Sequence, residues 1–72
     1  MDMYYKRIRE LRKENGKKQR DLAEVLHTTQ QHYSRIELGI TEITADRVIF
    51  LAKYYGVSTD YILNLSDKRK NK

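Results

Sequence analysis

The chain has 72 residues with no cysteine, no proline and three glycines, and 15 Lys/Arg against 10 Asp/Glu give it a formal net charge of +5. That length allows one domain, at the low end of what folds unaided, and the absence of thiols excludes disulfides and thiolate metal sites. The charged start, Met1 to Glu10, lacks the apolar run of a secretory signal. The longest apolar stretch, Val48 to Ala52, is far below the roughly 20 residues of a membrane span, so a cytoplasmic protein with no membrane partner is expected.

Apolar residues recur at helical spacing throughout, and the fold class expected is all-α, a compact bundle of four to five short helices. Tyr4/Tyr5, Ile8 and Leu11, with charges between them, predict an amphipathic helix over about Tyr4 to Glu14. Asn15-Gly16 closes it, with Gly16 able to take the left-handed conformation of a helix cap. A second helix is predicted from about Gln19 to Leu26, with Leu22, Ala23 and Leu26 as its apolar face. His27-Thr28-Thr29 breaks the pattern, and Thr29 can cap a third helix from Gln30 to about Leu38, with Tyr33 and Ile36 inward. An irregular loop follows, Gly39 to Ile43. Thr44 can cap a fourth helix, Ala45 to Tyr55, with Val48, Leu51, Ala52 and Tyr55 as its buried stripe and Gly56 at its end. Ser58 can cap a short fifth helix through about Leu65, holding Ile62 and Leu63 or Leu65 against the rest. The predicted domain is 1–65; residues 66–72 form a basic tail without apolar content, expected to be disordered.

Charge is distributed unevenly. Up to Ile36 there are nine Lys/Arg against five acids, from Glu37 to Leu65 two against four, and from Ser66 onward four against one. One basic face able to meet phosphate would account for this, as would a solvated surface. The third helix is more specific. Its exposed face carries Gln30, Gln31, Ser34 and Arg35, with His32 alongside. An amide can donate to and accept from adenine at once, and a guanidinium can fork onto guanine, so this helix start suits reading of base edges in double-stranded DNA.

With those residues in place, the chain resembles the Cro/C1-type (XRE) helix-turn-helix regulators, with a lambda-repressor-like fold. Gln19-Arg20-Asp21-Leu22-Ala23, then Thr28-Thr29-Gln30-Gln31, then Arg35-Ile36-Glu37-x-Gly39, carry the resemblance. Leu51-Ala52-Lys53-Tyr54-Tyr55-Gly56-Val57-Ser58-x-Asp60-Tyr61-Ile62-Leu63 extends it, so that it covers about Ile8 to Leu65. It implies a recognition helix, about Thr29 to Glu37, in the major groove, with Gln30, Gln31, Ser34 and Arg35 as base contacts. The Thr-Thr-Gln-Gln string occurs in a lambdoid repressor that reads adenine-rich half-site ends, and Arg35 matches a base-contacting position that is Gln there. Gln19 would touch phosphate and brace the recognition helix. Arg12 and Glu37 match a buried structural ion pair. Three positions depart from the pattern. His27 replaces a usual Gly, Leu38 a usual Asn, and the loop that normally supplies basic clamps reads Ile40, Thr41 and Glu42. Phosphate contact is therefore expected from Lys17, Lys18, Gln19, Arg20 and Thr29, with Thr41 and the Gly39 and Thr41 backbone as supplements.

The remaining expectations concern partners. A transcriptional repressor of this type would bind a pseudo-palindromic operator as a homodimer, with half-sites about one helical turn apart. Phe50 and Tyr54 lie off the buried stripe and, with Tyr61 and Leu65, form a candidate dimer interface. His27 and His32 have no third ligand nearby, and the serines have no positioned His/Asp partners, so no metal, cofactor or catalytic residue is expected. The alternative is a protein-interaction module or antitoxin-type partner that keeps the fold, and the acidic, clamp-poor loop favours it.

Overall fold

The computed structural model describes residues 4–70; expectations that fall on Met1 to Met3, Asn71 and Lys72 lie outside the described residues. The chain forms five helices in the order α1 (Tyr4–Glu14), α2 (Gln19–Val25), α3 (Gln30–Glu37), α4 (Ala45–Tyr55) and α5 (Thr59–Ile62), with no strand among the described residues. Its radius of gyration, 11.2 Å, is what a single domain of this length takes. None of these helices is long and apolar enough to cross a membrane.

Local chemistry sets the boundaries. Thr29, Thr44 and Ser58 each sit in extended conformation ahead of a helix, and their hydroxyls accept from the N–H of His32, Arg47 and Tyr61. Each satisfies a donor that the first helical turn would otherwise leave free. At the head of α2 the Asp21 carboxylate accepts from the Lys18 N–H at 2.8 Å. Between α2 and α3 the chain reverses through His27 at φ 55, with His27 N–H donating to Glu24 O at 3.1 Å and Thr28 N–H to Ala23 O at 2.9 Å. A β-carbon is strained in this left-handed region, but histidine enters it more often than most side chains.

α2 and α3 end one residue earlier than the sequence predicts, at Val25 and Glu37, with Leu26 and Leu38 as caps. The fifth helix ends three residues early. Asn64 turns to φ 62 and Leu65 N–H returns to Asp60 O at 2.8 Å. Ile62 is therefore buried, while Leu63 and Leu65 are exposed, contrary to the expectation that one of them would join the core.

α3 is the centre of the packing, in contact with both α1 and α2; α5 joins α4 to α1. Ile8, Leu11, Leu22, Tyr33, Ile36, Leu51 and Ile62 are fully buried, and each such side chain removed from water contributes roughly 1.5–3 kcal/mol. Gly39, which follows α3, is required twice over. It takes φ +78, and a β-carbon there would come within 2.5 Å of the Tyr5 ring. The neighbouring Tyr4 hydroxyl accepts from Ile43 N–H at 3.4 Å, so α1 pins both ends of the loop.

Residues Ser66 to Lys70 lie against α1 and the start of α5. Arg7 donates to Ser66 O at 2.9 Å, Ser58 N–H donates to Arg69 O, and Ser58 Oγ donates to Lys68 O at 3.2 Å. The Arg69 guanidinium forks onto Glu14 at 2.5 and 2.8 Å, which holds that carboxyl below its ordinary range. Arg7 and Arg69 lie 4.2 and 5.0 Å from the centre of the Tyr61 ring.

Candidate nucleic-acid interface

The outer face of α3 rests on a fixed base. Tyr33 and Ile36 bury its inner side completely. At its C-terminal end Glu37, whose side chain is only 2% exposed, receives the Arg12 guanidinium at 2.7 and 3.1 Å and the Gln19 amide at 3.2 Å. Arg12 also donates to Lys17 O at 2.9 Å, so one guanidinium ties α1, the turn before α2 and the end of α3 together. Burial pushes the Glu37 carboxyl up, but Arg12, the Tyr33 hydroxyl and the Gln19 amide outweigh it, and the net shift is downward. Hydrogen bonding to Glu37 raises Arg12 against a smaller opposing effect of burial. Burial drives the Tyr33 and Tyr55 phenols far above the ordinary tyrosine range. Neither hydroxyl closes a hydrogen bond of regular geometry, although that of Tyr33 faces the Glu37 carboxylate.

On this base Gln30, Gln31 and Arg35 are exposed, and Ser34 and His32 half-buried. The side chains of Gln30, Gln31, Ser34 and Arg35 make no hydrogen bond or ion pair among the described residues, and the exposed Gln30, Gln31 and Arg35 present their polar groups to solvent. Lys17, Lys18 and Arg20 are exposed around the start of α2. Gln19 is half-buried, with its amide on Glu37. The Thr29 hydroxyl caps α3 as an acceptor and keeps its proton for an outside acceptor. The loop offers less than its sequence suggests. The N–H groups of Gly39 and Thr41 already donate to Ile36 O at 3.1 Å and Arg35 O at 3.3 Å, which leaves the Thr41 hydroxyl as the side-chain donor there.

A helix-turn-helix family model matches residues 8–62, from within α1 to the end of α5. The chain belongs to the helix-turn-helix family, in its XRE branch. It is 37% identical over 65 residues to an uncharacterized HTH-type transcriptional regulator, YobD, of Bacillus subtilis (strain 168), a match covering 90% of this chain and 58% of that protein. The chain thus spans less than two thirds of that relative's length. No solved structure matches it.

In this helix-turn-helix protein the four residues of the candidate dimer face differ in exposure. Phe50 and Tyr54 stack, with ring centroids 5.9 Å apart and planes at 18°, and both are exposed. Leu65 is exposed as well, whereas Tyr61 is half-buried with Arg7 and Arg69 against its ring. Sequence reasoning missed Ile49 and Leu63, both exposed, which border an apolar hollow of about 380 Å³ with Ile43 and Val48. Ile49 follows Val48 directly, and that adjacency to the buried stripe was the available signal. A cleft of about 550 Å³ between α1 and the end of α3, lined by Tyr5, Lys6, Arg9, Lys13, Gln19 and Leu38 among others, was likewise not foreseen.

Proposed function

We propose that this chain is a transcriptional regulator, a repressor in the cytoplasm, that binds double-stranded DNA sequence-specifically with α3 in the major groove. The observation that carries this reading is the unpartnered set Gln30, Gln31 and Arg35 on the outside of a helix whose inner side and C-terminal end are locked. Side chains held on a rigid support can discriminate bases, because little ordering remains to be done on binding. Gln30 and Gln31 read adenine, Arg35 reads guanine, and Ser34 contributes at the edge. Lys17, Lys18, Gln19, Arg20, Thr29 and Thr41 contact phosphate and fix the register. The relative's description as a transcriptional regulator supports the same reading.

The binding unit is a homodimer on a pseudo-palindromic operator, since two α3 helices about one helical turn apart match the pitch of the duplex. Phe50 and Tyr54 pair the two copies, with Ile49 extending the contact and Leu65 at its margin. Selection of bound duplexes from a randomised pool, at near-physiological salt, tests the whole reading. A two-fold symmetric motif with half-sites one turn apart is the expected product. A folded protein that enriches nothing would favour a protein-interaction module or antitoxin-type partner instead. Exposed Leu38 and Ile40, beside Glu42, are the features that favour this second reading.

A further inference from the structure

We propose that Lys6, Arg9 and Lys13, on the outer face of α1, bind the DNA backbone next to the recognition helix and replace the clamp that the loop after α3 lacks. This inference rests on the DNA-binding reading above and adds a phosphate-binding surface to it. At positions i, i+3 and i+7 the three side chains fall along one side of the helix. All three are exposed and make no ion pair among the described residues. The other two cations of α1 are taken, Arg7 by the Ser66 and Tyr61 carbonyls and Arg12 by Glu37.

The cleft beside them joins this cationic side to Gln19 at the start of α2 and to Leu38 at the end of α3. Gln19 directly follows the basic turn Lys17-Lys18 and Leu38 directly follows α3, so the cleft reaches the start of the one and the end of the other. Glu37 lies at its floor, but that charge is matched by Arg12, and Glu10 is the one further carboxylate in the lining. A net positive charge remains. The loop offers none: from Leu38 to Asp46 there is no cation, and Glu42 and Asp46 are both exposed. A phosphate passing the C-terminal end of α3 thus meets the cations of α1, while the loop would repel it. An acidic protein segment is the rival occupant. The cleft reaches Gln19 at the start of α2, next in the chain to the exposed Lys17 and Lys18, and this favours the duplex.

Salt dependence reads this directly, since each phosphate contact contributes about 0.9 to the slope of log K against log salt. The triple variant Lys6→Gln/Arg9→Gln/Lys13→Gln, on a duplex carrying the selected motif, should lower the slope by about 2.7. The wild-type-to-variant affinity ratio should then shrink about fortyfold between roughly 50 and 200 mM salt. The base preference should stay unchanged. Lys18→Ala serves as the independent control for the proposed function. A wild-type slope that falls in Lys18→Ala but not in the triple variant overturns this inference alone. Absence of any salt-dependent duplex binding by the wild type overturns both. A triple variant that keeps the full slope and loses affinity for a poly-glutamate peptide assigns the cleft to a protein partner. If the triple variant does not fold, Arg9→Gln and Lys13→Gln singly should each lower the slope by about 0.9; unchanged slopes in both overturn the proposal.

Discussion

The Arg12–Glu37 pair gives the sharpest test of how the interface is held, because its members differ in burial: the side chains are 12% and 2% exposed. Arg12→Met keeps most of the aliphatic stem and removes the charge. It leaves a carboxylate sealed in the protein with the Gln19 amide as its remaining hydrogen-bond partner. Breaking a buried pair from one side costs about 3–5 kcal/mol, against a total stability of about 4–11 kcal/mol for a chain of this length. The midpoint of thermal unfolding should fall by roughly 15–30 °C, followed by circular dichroism at 222 nm. Glu37→Gln should be milder, about 1–3 kcal/mol, because Arg12 is nearer solvent and keeps its bond to Lys17 O at 2.9 Å. Arg12→Met/Glu37→Leu, which buries no unpaired charge, should recover to within about 2 kcal/mol of the wild type.

Acidity supplies a second reading of the same variants. The folded pKa of Glu37 lies below its ordinary value of 4.5. Its stabilising contribution is therefore fully present above that value and is lost as pH falls through the folded pKa. In Arg12→Met the sign reverses, since burial without the guanidinium favours the protonated acid. The difference in stability between wild type and Arg12→Met should then narrow from pH 7 toward pH 4. A loss under about 1 kcal/mol in Arg12→Met, the range of an exposed pair, with no narrowing in acid, would refute the argument that this carboxylate is held by Arg12.

Gly39→Ala combines a left-handed φ with a β-carbon 2.5 Å from the Tyr5 ring, so it should lose at least about 2 kcal/mol. Adding Tyr5→Ala should return only the steric part, as urea melts of the single and double variants would show. His27→Gly should be neutral or stabilising by up to about 1 kcal/mol, because it relieves a β-carbon at φ 55; a clear loss would mean that the imidazole does more than fill the turn. Gln30→Ala should relax base preference at one position and cost about 1–3 kcal/mol on the selected site, while Lys18→Ala weakens all duplexes alike. Phe50→Glu or Tyr54→Glu should give monomers by ultracentrifugation, and an unchanged mass would remove these rings from the interface.

Local rules made most of the fold legible. Thr29, Thr44 and Ser58 cap where hydroxyl chemistry says they should, Gly16 and Gly56 turn left-handed, and spacing alone separates buried Tyr33 and Ile36 from exposed Gln30, Gln31 and Arg35. What escaped the sequence was long-range. Composition makes Ser66 to Lys70 a polar tail, yet Ser58 and Arg7 supply donors for its carbonyls, and no local pattern announces partners 10 and 59 residues away. Tyr61 is an apolar ring by type, but Arg7 and Arg69, from opposite ends of the chain, lie against it. Residue type alone does not announce the half-burial of Tyr61, nor that packing leaves Ile49 and Leu63 exposed.

The cationic side of α1 shows the same division. Lys6, Arg9 and Lys13 read in sequence as the solvated face of an amphipathic helix, which is what such a pattern usually is. Only after Arg12 has been spent on Glu37 and Arg7 on the carbonyls of Tyr61 and Ser66 does it emerge which cations of α1 remain available. Only the placement of Leu38 and Gln19 beside them shows that they adjoin the C-terminal end of α3 and the start of α2. The loop's missing clamp and the surplus charge on α1 look unrelated along the chain. In the folded protein the cations of α1 line a cleft that reaches Leu38, the residue just before that loop.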